Sequence, residues 1–303
     1  MEFIKPGTKI NFLGMRWYAF ALSGIVITAS IISIFFHGGL NYGIDFAGGT
    51  LVQVKFKEPT QVERIKEQLS SIGLDRSLVQ RFGEKKDNEY LIRVEKVVPD
   101  MDVLSLQIEE ALQKAYGKGG VEVRRTEMVG AKVGKDLRKK GMLAVIYAMV
   151  GLLIYITWRF EFVYALGALI ALAHDVMITV GAFSFTDKEF TLPIIAAILT
   201  IIGYSLNDTI VVYDRIRENR RKMRREPFAR VINASINETL SRTLLTSLTT
   251  LIVVIILFIF GGGVIHDFAF AFMVGVLVGT YSSIFIASPI ILNWHVRRWG
   301  KGR

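Results

Sequence analysis

Residues 17–36, WYAFALSGIVITASIISIFF, run for twenty positions without a charged side chain. At about 1.5 Å per residue a helix of that length covers the ~30 Å hydrocarbon core of a bilayer. The run is too long for the apolar core of a cleaved leader. His37-Gly38-Gly39-Leu40 follows it in place of a small-residue cleavage pattern, so it reads as a retained anchor. Five more apolar runs follow, at about 141–158, 162–185, 190–213, 243–261 and 265–293. The expected fold is therefore an α-helical polytopic membrane protein with six transmembrane helices. Trp17, Tyr18, Trp158, Tyr164, Trp294 and Trp299 fall near span ends, as an interfacial aromatic belt requires.

The chain has 303 residues, is 51% hydrophobic and carries a formal net charge of +10. The surplus lies in short segments beside apolar runs, where it orients helices, so no nucleic-acid partner is expected. There is no cysteine, which excludes disulfides and thiolate chemistry, and four scattered histidines argue against a metal centre. No P-loop, GxSxG or HExxH motif is present and the outer segment shows no paired-carboxylate site, so an enzyme is not expected. Energy for any work must come from an ion gradient or from a partner's ATPase.

Charge distribution sets the orientation. Lys5, Lys9 and Arg16 precede the first span; Arg215, Arg217, Arg220, Arg221, Lys222, Arg224 and Arg225 follow the fourth; Arg297, Arg298, Lys301 and Arg303 close the chain. On the opposite side, Asp187-Lys188-Glu189 holds one lysine and 261–267 none. The positive-inside rule places both termini in the cytoplasm. The expected organisation is a cytoplasmic N-terminus (1–16), a first span (17–36), an extracytoplasmic domain (37–137), five further spans (138–293) interrupted by an Arg-rich cytoplasmic loop (214–230), and a cytoplasmic tail (294–303). That loop reads as orientation plus contact with anionic lipid, or as a docking site for a cytoplasmic partner.

Within the outer segment, Thr50–Lys57 alternates as a strand. Thr60 is placed as an N-cap with Glu63 three residues on, a capping box. Ser77–Phe82 and Glu89–Val94 read as a strand pair around a turn at 83–88, Asp100–Tyr116 as a helix, and Val121–Met128 as a last strand. The order β-α-β-β-α-β is ferredoxin-like and leaves one sheet face open.

Ionisable residues inside a membrane are costly, and mark function by default. Asp208 lies in span four within GYSLNDT (203–209), where it either loads and releases a proton or locks two helices together. Arg242 enters span five at a similar depth; it either pairs with Asp208 or snorkels at a helix end. His174 and Asp175 sit near the middle of span three, as a second relay or as a helix contact, with His174 filling space. Thr243, Thr246, Ser247 and Thr250 share one face of span five, as a water wire or as polar glue. Gly275, Gly279, Ser283 and Ala287 form a close-packing stripe in span six.

NYGIDFAGGT (41–50) resembles the signature shared by SecD and SecF, accessory subunits of the bacterial Sec translocase. GYSLNDTIVVYDRIR (203–217), 235–250 and YSSIFIASP (281–289) resemble the SecF branch of that family. The likeness covers nearly the whole chain. It implies pairing with SecD in a pseudo-symmetric unit of the RND (resistance-nodulation-division) type, association with the SecYEG channel and YajC, and use of the proton motive force to drive a late step in export of unfolded preprotein. It also implies a bacterial inner-membrane location; no cofactor is expected, and the sequence leaves Na⁺ open as the coupling ion. Asp208 and Arg242 match the family's proton-passage residues; Asn207, like Asp175 and His174, is expected as a secondary relay or a helix contact. Asp45, Gly48 and Gly49 are expected to act at the joint between domain and membrane, the glycines by permitting unusual backbone angles, or to form a tight turn into the first strand, or both. The competing classes are half of a small-molecule efflux transporter and a passive assembly scaffold.

Overall fold

The computed structural model describes residues 8–75, 77–83, 87–94 and 101–299. The expected helix start at Asp100, part of the turn at 83–88, and the basic residues Lys5, Lys301 and Arg303 lie outside them.

Six helices among the described residues are long and apolar enough to cross a membrane: Leu13–Phe36, Ala131–Arg159, Phe162–Phe185, Leu192–Lys222, Phe228–Phe260 and Gly262–Val296. In chain order the helices are α1 (Arg16–Phe36), α2 (Ile44–Ala47), α3 (Val62–Ser70), α4 (Met101–Tyr116), α5 (Ala131–Arg159), α6 (Phe162–Phe185), α7 (Leu192–Lys222), α8 (Phe228–Phe260), α9 (Gly262–Ser282) and α10 (Ser288–Trp299). A π-helical turn, Ser283–Ala287, joins α9 to α10 within the last span. The centre of the bundle is α6, α7 and α9, which are half-buried by their neighbours; α5 and α8 lie at its edge and present apolar side chains outward, as lipid contact requires.

Small residues let the central helices approach. A Cβ on Gly275 would lie 2.4 Å from an Ile201 carbon, and one on Gly279 would lie 2.9 Å from Ser205 Cβ. The glycine stripe of span six is thus the face on which α9 meets α7.

The domain after α1 has strands β1 (Gly49–Phe56), β2 (Leu78–Phe82), β3 (Glu89–Val94) and β4 (Val121–Val129), in the order β2-β3-β1-β4 with every neighbouring pair antiparallel. This is the ferredoxin-like arrangement. Alternation decides the faces: Val52, Val54 and Phe56 of β1 and Tyr90, Ile92 and Val94 of β3 are buried with Ile65, Leu69, Ile108 and Leu112 of the two helices. Leu51, Gln53, Gln80 and Leu91 line a cleft of about 740 Å³ on the other face, together with residues 186–189 and with Gly263, Val264, His266 and Asp267 from the lobe-side end of the bundle. The open sheet face is directed at the membrane-side loops.

Two local expectations change. The N-cap of α3 is Gln61, without a side-chain cap bond. The Thr60 hydroxyl is instead 2.6 Å from the Tyr116 hydroxyl, and its carbonyl accepts from Tyr90; a tertiary contact has taken the hydroxyl that a capping box would use. The Arg-rich stretch 214–230 is not one loop. It is helical through Lys222 and again from Phe228, with 223–227 between. Glu218–Lys222 ion pairing at i,i+4 and basic residues at the negative end of the α7 dipole favour the extension.

Candidate functional site

Asp208 is buried on α7, 3% exposed. Ser247 of α8 donates to its Oδ2 at 3.4 Å, and the same hydroxyl is 2.7 Å from Thr280 of α9. One carboxylate therefore joins three helices through a serine. Thr246 and Thr249 turn their hydroxyls back to carbonyls of their own helix, whereas the buried Thr243 hydroxyl has no partner. Arg242 is exposed on α8, and no ion pair within 4.0 Å joins it to Asp208; the two interact only at longer Coulombic range.

The second acid is more heavily bonded. Asp175 of α6 is fully buried, and its Oδ2 accepts from Ser205 of α7 at 2.6 Å and from Ser282 of α9 at 2.8 Å. Its Oδ1 is 2.9 Å from His174 Nδ1. The other ring nitrogen of His174 lies 3.0 Å from Ser23 of α1, which is 3.1 Å from the Tyr281 hydroxyl. His174 is a bridge between helices, not a space filler. Ser205 and Asp208 are one turn apart on α7, about 4.5 Å along the axis, so one helix reaches both acids.

Asn207 points away from this interior. With Ala196, Thr200 and Gly203 it forms an exposed ridge of small and polar residues along α7. Lipid tails cannot satisfy an amide, so this face suits another transmembrane helix.

The sequence stretch 41–50 joins the domain to the bundle. Gly43 N–H donates to the Phe190 carbonyl at 3.0 Å and Phe190 N–H to that of Asn41 at 2.6 Å. Asp45 Oδ2 accepts from Leu192 N–H at 2.9 Å, capping the N-terminal end of α7. Gly48 has φ 76° and Gly49 φ 116°, and a Cβ on Gly48 would lie 2.7 Å from Ala131 Cα at the start of α5. Asp45 thus caps the start of the helix that carries Asp208 at its middle, about 24 Å further along the axis.

Beside this joint is a half-buried acid with no obvious mark in the sequence. Burial pushes the Glu189 carboxyl above the ordinary glutamate value; Arg93 opposes this, while Asp267, Asp45 and Asp187 add to it. Arg93 also donates to the Tyr42 carbonyl, and Lys188 pairs with Asp267 at 2.5 Å. Ser23, Ser205, Ser282 and Thr280 were equally hidden, because hydroxyls are common in membrane helices; Ser205 alone had a pointer, one turn from Asp208.

A six-span bundle with acids buried between helices, fastened to a ferredoxin-like lobe, defines a polytopic membrane protein with ionisable groups in its interior. A model of the SecD/SecF protein export membrane protein C-terminal region matches residues 107–297, and a SecD/SecF GG motif matches 33–60. The chain is 51% identical to the protein translocase subunit SecF of Magnetococcus marinus, over 96% of this chain and 94% of that one. It is 40% identical to SecF of Pseudomonas aeruginosa, over 96% and 92%. The crystal structure of SecDF from Thermus thermophilus, described as a translocon-associated membrane protein, superposes with TM-score 0.85 at 35% identity, over 95% of this chain. A SecDF structure in a super-membrane-facing form superposes at 0.72 and 37% identity, over 99%. The chain spans about two fifths of those SecDF chains, 39% and 40%. The chain belongs to the SecD/SecF family.

Proposed function

We propose that this chain is the SecF-type accessory subunit of a bacterial Sec export machine, pairing with SecD beside the SecYEG channel and YajC. In this reading it lies in the inner membrane with both termini cytoplasmic, and anionic lipids surround its basic side. It couples ion entry to a late step in the translocation of unfolded preprotein. The coupling ion is the proton, and no organic cofactor takes part.

The observation that carries this reading is the placement of Asp208 on α7, the helix whose outer end is capped by Asp45 of the lobe's joint. A change of charge at Asp208 alters its attraction to the Ser247 hydroxyl and to the field of Arg242. The contacts among α7, α8 and α9 then repack, and the lobe moves with α7. One charge crossing 100 mV releases about 2.3 kcal/mol, roughly a fifty-fold change in a two-state ratio. That suffices to bias a tilt of the lobe and is far too little to unfold a substrate. The unequal fit to two SecDF structures of similar identity supports more than one arrangement of this fold. The exposed α7 ridge supports a partner helix bundle, supplied by SecD.

Asp208→Asn tests the coupling in inverted membrane vesicles carrying the full machinery. The proposal requires export to lose its dependence on the proton gradient while assembly with SecD persists. Export unchanged in both rate and gradient dependence would leave the passive scaffold as the correct reading.

A further inference from the structure

At the end of the bundle away from the lobe, a cavity of about 420 Å³ opens between the α5–α6 turn and the last turn of α7. Four arginines line it, Arg217, Arg220, Arg221 and Arg224, against one acid, Glu161. Among the described residues none of the four has a carboxylate within 4.0 Å, although their neighbours Arg159, Arg215, Lys222 and Arg230 all do. Their contacts are to neutral groups. Arg217 reaches the Arg159 carbonyl at 3.5 Å, Arg220 lies over the Phe228 ring at 5.4 Å, and Arg224 Nε donates to the Arg221 carbonyl at 3.3 Å. The half-charge at the α7 C-terminus offsets little of this excess.

The walls explain which anion fits. Phe160 and Tyr164 stack at 5.9 Å to form an aromatic side. Trp158 and Phe162, on either side of the same turn, are 86% and 53% exposed. Large apolar groups beside a cationic recess place it at the boundary between hydrocarbon and water. A ligand there meets guanidinium groups with one end and apolar helix surface with the other. Guanidinium pairs grip phosphate through two parallel N–H···O bonds.

We propose that this recess is a specific site for an anionic phospholipid, phosphates among the four arginines and acyl chains along α5 and α6, with a two-phosphate headgroup held more tightly than a one-phosphate headgroup. It deepens the lipid part of the reading above and is independent of ion coupling. Each arginine at a membrane surface contributes about five-fold in affinity, so three together govern occupancy.

The test is lipid retention by the full chain, taken from phosphatidylcholine nanodiscs doped with cardiolipin or with phosphatidylglycerol and read by native mass spectrometry. The wild-type chain should retain cardiolipin over phosphatidylglycerol, and either over phosphatidylcholine. Arg217→Gln with Arg220→Gln and Arg221→Gln should lower cardiolipin retention at least ten-fold, whereas Arg225→Gln, outside the recess, should cost no more than the roughly five-fold of a single surface arginine. Glu161→Gln, which removes the opposing carboxylate, should raise it, and this gain holds even if the triple variant misfolds. Equal loss in the triple variant and Arg225→Gln would overturn the proposal. So would equal retention of phosphatidylcholine, or complete displacement by soluble pyrophosphate, which would make the recess a free-anion site.

Discussion

Replacing Gly48 by alanine should loosen the lobe from the bundle, and the structure gives the size of the effect. Gly48 has φ 76° and ψ 175°, a backbone region open essentially to glycine alone. Holding an alanine there costs about 1–3 kcal/mol. Its Cβ would also sit 2.7 Å from Ala131 Cα, 2.9 Å from Ala131 N and 3.2 Å from the Val129 carbonyl. These are backbone atoms, which cannot rotate aside, and overpacking of this kind adds about 1–3 kcal/mol. A total near 4 kcal/mol would raise local opening roughly a thousand-fold. The chain escapes the clash most easily by lifting 44–48 off α5, which releases the Leu192 N–H from Asp45. Hydrogen exchange at Leu192 reads this directly. Gly73→Ala separates the two contributions: it too has positive φ, 77°, but nothing lies within 4 Å of its Cβ. It should cost only the conformational part, about 1–2 kcal/mol. Wild-type protection of Leu192 in the Gly48→Ala chain would refute the steric account of the joint.

Glu189 should make lobe docking sensitive to outside pH. Its carboxyl is raised by burial, so the docked state takes up a proton more readily than the undocked one, and docking weakens as pH rises from the ordinary glutamate value through the raised one. Glu189→Gln should remove that pH dependence and hold the docked state at neutral pH, as hydrogen exchange across 41–45 would register; an unchanged pH profile would count against it. Asp175→Ala strands two serine hydroxyls and an imidazole in the bundle core and should cost about 3 kcal/mol or more. Thermal unfolding in detergent should show a clear fall in Tm, while Asp175→Asn, which keeps the volume and one acceptor, should fall less.

The spans were legible because a bilayer imposes a minimum apolar length that Trp17–Phe36 meets without interruption. The lobe was legible because Val52, Val54 and Phe56 alternate against Leu51, Gln53 and Lys55. Other features depend on what lies across the helices, which no local pattern encodes. The network around Asp175 needs Ser23, Ser205 and Ser282 from three other helices, and a serine in an apolar run has no sign of its partner. The basic stretch after Asp214 was read as a loop because charge density looks the same in a loop as on a helix that projects into water. Asp208 and Arg242 fall at similar depth in the sequence, yet the guanidinium faces outward in the folded bundle. Asp45 was expected near the joint; that it caps α7, and so ties the lobe to the acid-bearing helix, required coordinates.

Everything in this mechanism passes along α7, from the Asp208 carboxyl to the lobe. Spin labels at Lys66 on α3 and Phe260 at the outer end of α8, both exposed, would report the lobe's position by pulsed electron resonance in proteoliposomes holding the chain with its SecD partner. With wild-type Asp208, two distance populations should exchange weight when a proton gradient is imposed, and with Asp208→Asn the weights should stay fixed. The same gradient-driven shift in both proteins, or one unchanging distance in both, would contradict a lobe driven from Asp208.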